Sequence, residues 1–179
     1  MRTYLAGSLA AVLAALGLAV TAAPADAAPV PQCKGALLRI THGMPDAGMG
    51  HGFLVLRFRN ISQRTCALRG YPGLDALRRN GTVLAHAKRT LHGQTGARRV
   101  STIVLQPNRV ASASVEWSNF NTTTAGSCAN SHSIAVTAPN TFRTVHFRVS
   151  VTRCDLQIHP VVKGRSGRNL PRAVTAARP

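Results

Sequence analysis

Residues 112–118 and 144–152 alternate apolar and polar side chains one for one, and that period of two constrains the fold more than any other feature. In the first stretch Ala113, Val115 and Trp117 alternate with Ser112, Ser114, Glu116 and Ser118. In the second, Val145, Phe147, Val149 and Val151 alternate with Thr144, His146, Arg148, Ser150 and Thr152. Successive side chains of a strand point to opposite faces, so each stretch reads as a half-buried strand with one face on a core. The continuous run Phe53-Leu54-Val55-Leu56 reads as a strand covered on both faces or lying at a sheet centre, with Arg57 and Arg59 marking its solvent side. Asn80-Gly81, flanked by residues 74–79 and 82–87, predicts a two-residue type I′ hairpin, and weaker strands are expected at 36–40, 65–68, 100–105 and 133–137. Pro72-Gly73, Pro107-Asn108 and Pro139-Asn140 separate them as turns. The expected fold is all-β, an antiparallel Greek-key sandwich of immunoglobulin-like outline with about seven to nine strands, an open barrel being the alternative.

Residues 1–27 read as a secretory signal: Arg2, an apolar run over 5–20, and small residues ending in Ala25-Asp26-Ala27, with cleavage before Ala28. The apolar run is short for a spanning helix, and no second one follows. Residues 28–162 are expected to form a single domain, long enough to bury about 70% of its unfolded surface. Residues 163–179 are expected to be a mobile basic tail, because their arginines stand among Gly, Ser, Ala and Pro. Cys33, Cys66, Cys128 and Cys154 all follow the leader, and an even count in an exported chain argues for two disulfides rather than a free thiol. Zinc is the competing use of four cysteines, but no C-x-x-C pair is present. Of the three connectivities, sequential pairing is preferred: it closes two loops of moderate length, each worth about 3–4 kcal/mol by chain entropy.

Charge bears on function. The chain has 22 Lys and Arg against five Asp and Glu, and because Arg2 and Asp26 leave with the leader the net charge stays at +17. Polyanions are therefore the expected partners, outside a cell wall phosphate polymers, acidic polysaccharides or anionic lipid head groups, with genome composition and solubility as the competing explanation. Lys163, Arg165, Arg168, Arg172 and Arg178 are the candidate anion-binding residues. Nucleic acid is disfavoured, since stacking aromatics are few. Phe53, Phe58, Phe147 and Trp117 fall on strand patterns and only Phe120 and Phe142 lie near loops. Asp46, Asp75, Glu116 and Asp155 are the only carboxylates after the leader, no two at a diagnostic spacing, and no G-x-S-x-G elbow exists, so no catalytic residue and no cofactor are expected. His42, Met44, Met49 and His51 make the one suggestive ligand set, imidazole with thioether, which suits copper(I) if the loop folds so that they converge; Met as gap filler is the plainer account. His86, His92, His132, His146 and His159 are scattered and read as surface groups. The leading expectation is a secreted, non-enzymatic binding or structural module at the cell exterior, possible wall association included, with copper(I) handling or an unrecognised extracellular hydrolase as alternatives.

From Asn60 the chain runs Asn60-Ile61-Ser62-Gln63-Arg64-Thr65-Cys66-Ala67-Leu68-Arg69-Gly70-Tyr71-Pro72-Gly73. This string resembles the secreted actinobacterial domain of unknown function numbered 4232. Gly50-His51, the turn Leu105-Gln106-Pro107-Asn108, the Cys128 region, Ala138-Pro139 and Cys154 extend the resemblance over about Cys33 to Val162. It implies location, source and architecture, an exported actinobacterial β domain, and transfers no catalytic residue. Asn108 stands where that family usually has glycine, and Asn tolerates the positive φ such a turn needs. Asn60-Ile61-Ser62, Asn80-Gly81-Thr82 and Asn121-Thr122-Thr123 match the glycosylation pattern but read as turn residues and strand ends. Two disulfides make the unreduced exported protein lighter than its reduced form by two hydrogen pairs. Mass spectrometry reads this directly, and two free thiols on the unreduced chain would refute it.

Overall fold

The computed structural model describes residues 28–121 and 126–168. The expected signal segment lies outside the described residues. After one turn of 3-10 helix at Gly35–Leu37, the first strands are β1 (Leu38–His42), β2 (Asp46–Gly48), β3 (His51–Asn60), β4 (Cys66–Arg69) and β5 (Gly73–Leu77). Then come β6 (Val83–His86), β7 (Lys88–Arg89), β8 (Thr102–Leu105), β9 (Val110–Ser118) and β10 (Phe120–Asn121). The chain closes with β11 (Gly126–Ser127), β12 (Ser133–Thr137), β13 (Thr144–Phe147), β14 (Gln157–Ile158) and β15 (Val162–Lys163). Nine of these fifteen have four residues or more. Among the described residues no helix is long and apolar enough to cross a membrane.

The larger sheet has the order β1-β3-β9-β14-β7, with β2 also paired to β3 and β15 also paired to β9. The second has the order β13-β12-β5-β6, and β4-β8 and β10-β11 form two-stranded pieces. Pairing is antiparallel except between β14 and β7. Leu54, Leu56 and Phe58 of β3 and Ala113, Val115 and Trp117 of β9 join Leu74, Ala76, Ile134 and Val136 of the second sheet in one cluster, as in a sandwich. Cys33–Cys66 and Cys128–Cys154 are the disulfides, in the sequential pairing.

Two strands exchange the burial expected of them. β3 lies at the sheet centre as its apolar run suggests, yet Phe53 and Val55 on its outer face are only half-buried. The alternating strand β9 is the one covered on both faces: Ser112, Ser114, Glu116 and Ser118 are all buried. Period two correctly separates the two faces but says nothing of what covers the polar one. Here the cover is polar too. Ser112 Oγ accepts from Gly167 N, Ser114 Oγ donates to Gly167 O, and Ser118 Oγ bonds both the N–H and the carbonyl of Phe120.

Three local expectations also change. The Asn80-Gly81 hairpin exists, but only Gly81 has positive φ, at 81°, so the turn is not type I′. Gly81 N donates to Arg78 O and Arg78 N to Thr82 O, a turn over residues 78–81 with Gly81 in the left-handed position that the longer hairpin requires. The two-residue turn with positive φ at both centres is instead Met49-Gly50, between the paired residues Gly48 and His51. The tail expected from residue 163 begins inside β15, where Lys163 pairs with Ala111, and Gly167 is buried against β9, so residues 163–168 belong to the domain. Asn108 does take positive φ, 64°.

Asn60 explains much of the string at 60–66. Its side chain is buried, Nδ2 donating to the carbonyls of Arg64 and Leu105 while Oδ1 accepts from Ser62 N and Oγ. With every polar atom engaged inside the fold, it ties this loop to the end of β8. At Gly81 the positive φ sets the cost of a side chain: Gly81→Val should lose about 1–3 kcal/mol in urea unfolding, against less than about 1 kcal/mol for the neighbouring exposed Thr82→Val. Equal losses would remove the turn geometry as the cause.

Candidate anion-binding groove

A groove of about 620 Å³ opens where the β8–β9 turn faces β15 and the residues after it. Arg109, Lys163 and Arg165 line it, with Asn108, Gln106 and Val104. The three cations are exposed, and no carboxylate lines the groove. Two hydrogen bonds extend the basic surface onto the outer face of β3: Arg59 Nη2 donates to Asn108 Oδ1 (2.8 Å) and Arg57 Nε to the carbonyl of Arg165 (3.3 Å). Five cations thus meet at one end of the larger sheet.

Of the anion-binding residues expected from sequence, Lys163 and Arg165 stand on this groove, Arg168 is exposed just beyond Gly167, and Arg172 and Arg178 lie outside the described residues. Arg57, Arg59 and Arg109 were missed as site residues. Nothing local distinguishes Arg109 from other arginines; the pairing of Lys163 with Ala111 brings it beside a lysine 54 positions away.

The His/Met set does not converge. His42 lies opposite Leu56 and His51 opposite Gly48, so about 16 Å of β3 separates the two imidazoles at the usual rise per residue. His42 packs edge-on against Phe147 with its Nδ1 on Gly43 O, while Met44 and Met49 are exposed. Among the described residues no three of His, Cys, Asp and Glu come together.

His86, His92, His132 and His146 are exposed, but His159 is buried and its Nε2 lies 3.0 Å from Glu116 Oε1. That contact is close but not aligned as a hydrogen bond. Glu116 also accepts from the backbone N–H groups of Gln94 and Thr95 and from the Thr95 hydroxyl. A Cβ on Gly96 would meet His159 Cγ at 2.2 Å, so only glycine lets this segment close over the pair. In a nucleophilic triad the imidazole sits between carboxylate and hydroxyl, whereas here the carboxylate takes the middle. Its work is to hold residues 93–96 onto β9.

Burial by itself would raise the Glu116 carboxyl, but the contacts from His159, Thr95 and the backbone of Gln94 and Thr95 outweigh it and bring the value down to about 2 from 4.5. A carboxyl lowered on folding contributes stability that is full above its unfolded value and is lost as pH falls through the folded one. Stability should therefore decline as pH is taken from about 4.5 to 2. Glu116→Gln should be less stable at pH 7, and its stability should change much less over that interval. An unchanged acid limb in urea titrations of the variant would assign the effect to another group.

No match was found among curated proteins or among solved structures. A family model does match, over residues 33–162, from the first disulfide cysteine to the start of β15. The chain belongs to the family described as Domain of unknown function (DUF4232).

Proposed function

We propose that this domain is a non-enzymatic binding module for anionic polymers at the cell exterior. The observation that carries the reading is the groove: Arg109, Lys163 and Arg165 converge on it from two distant parts of the chain, and no acidic residue lines it. Cations scattered for solubility gain nothing from being brought together, since like charges in one concavity repel. Low-dielectric walls that carry one sign of charge focus the field and raise the local concentration of the opposite ion. The four carboxylates among the described residues are placed elsewhere. Asp46 accepts from Ala47 N, Asp75 pairs with His86, Glu116 is buried, and Asp155 follows Cys154 away from the groove. Two disulfides suit an exported protein, in keeping with wall polymers as the surrounding polyanions.

A polymer that displaces several condensed counterions should bind with a steep dependence on salt. Binding of the purified protein to two polyanions of different chemistry, long-chain polyphosphate and polygalacturonate, measured from low to high salt, tests this. Changing Arg109, Lys163 and Arg165 to Gln together should weaken binding to at least one of them by about tenfold or more and lower the log–log salt slope by about two to three. Truncation after Arg168, which retains β15 and the Gly167 contacts, measures the share of Arg172 and Arg178. No binding of either polymer at low salt, or full binding by the triple variant, would overturn the groove as a polyanion site.

A further inference from the structure

Arg39 of β1 lies directly opposite Arg59 of β3, so the two side chains leave the same face of the sheet with Cβ atoms about 5 Å apart. Like charges at such a position cost stability, and no carboxylate is placed between them. Arg57 stands two residues along β3 on the same outer face. Arg59 is drawn toward the groove by Asn108, and Arg57 is bonded to the carbonyl of Arg165. Through β3 the register carries Arg39 to Val110, next to Arg109, whereas Lys163, paired with Ala111, leaves the opposite, core-side face, so the groove lies around the end of the sheet from the facing arginines. The cations therefore run from the facing arginines on the outer face of the sheet, past Arg57, to the rim of the groove, where Arg59 is bonded to Asn108 and Arg57 to Arg165.

A single small anion cannot span that track, whereas a chain of repeating anions can. The facing pair also selects the anion. A carboxylate has two coplanar oxygens that match one guanidinium fork, whereas a tetrahedral phosphate presents oxygens in divergent directions and can be held by two forks at once. We propose that the ligand is a linear phosphate polymer lying across the strands, one of its phosphates clamped between Arg39 and Arg59 and its continuation led past Arg57 into the groove. This rests on the polyanion reading above and names the polymer class and its path.

Clamping would remove the repulsion between Arg39 and Arg59, so the same substitution should move stability and affinity in opposite directions. Arg39→Gln should raise the melting temperature of the free protein by about 1–3 °C. It should also weaken binding of long-chain polyphosphate about five- to tenfold and lower the salt slope by about one. Arg39→Lys keeps the charge and should keep the slope while losing part of the affinity, because the fork is gone. Orthophosphate and triphosphate should bind at least about tenfold more weakly per phosphate than the long chain. Equal affinity for triphosphate and the long chain would overturn the extended track, and equal affinity for polygalacturonate of matched length would overturn the choice of phosphate. Unchanged polyphosphate affinity in Arg39→Gln, with the groove triple variant still impaired, would confine the ligand to the groove and defeat this proposal alone. No binding of any polyanion by the unmodified protein would defeat the functional reading itself.

Discussion

Strand β9 carries a carboxylate and three hydroxyls on a face that is buried, and the rest of the larger sheet is arranged around that constraint. A buried hydroxyl or carboxylate without partners costs several kcal/mol, so the cover must supply donors and acceptors rather than hydrocarbon. Backbone supplies them. Residues 93–96 close over Glu116 and His159, and the Gly167 peptide groups bond Ser112 and Ser114. Glycine at the contact points lets main chain come this near. The second of these segments follows β15, so satisfying two serines on β9 also holds one wall of the basic groove in place.

The opposite wall, the β8–β9 turn, depends on Asn60. That side chain bonds the Leu105 carbonyl, while Asn60 N donates to Arg109 O and Asn60 O accepts from Asn108 N. Three hydrogen bonds from its side chain and main chain thus reach or border the turn that presents Arg109. The Cys33–Cys66 disulfide ends the same loop, and Cys128–Cys154 secures the chain beyond β11 to the segment before β14. The motif from Asn60 to Cys66 therefore has a structural duty that bears directly on the site: it sets the position of a wall rather than supplying a ligand.

Charge is distributed unevenly along β3. Its C-terminal end carries Arg57 and Arg59 beside the groove, whereas His51 and the exposed Met49 turn mark the other end, about 27 Å away at the usual rise. The two ends are therefore separate surfaces. Gathering arginines at one end raises electrostatic self-energy, and the facing Arg39 and Arg59 are its sharpest instance. On the proposed reading an anionic partner would offset that repulsion, so that function and stability would be opposed there.

Local chemistry alone settled where most of the longer strands lie, that Asn108 can take a left-handed conformation, and that the cysteines pair, because each rests on neighbours within a few residues or on composition; it did not show the six strands of two or three residues, and it carried β13 on to residue 152 where the strand ends at Phe147. The all-β class and the core faces of β3 and β9 were legible for the same reason. Only the tertiary structure decided what lies over the second face of β9, since an alternating strand with serines and a glutamate looks the same whether water or a glycine-rich segment covers it. Tertiary structure likewise made His159 a buried partner of Glu116, drew residues 163–168 into the domain, and held His42 and His51 apart by strand register. It also assembled Arg109 with Lys163, and Arg39 with Arg59. Those pairings depend on antiparallel register between strands far apart in the chain, and a period of two defines faces without defining neighbours.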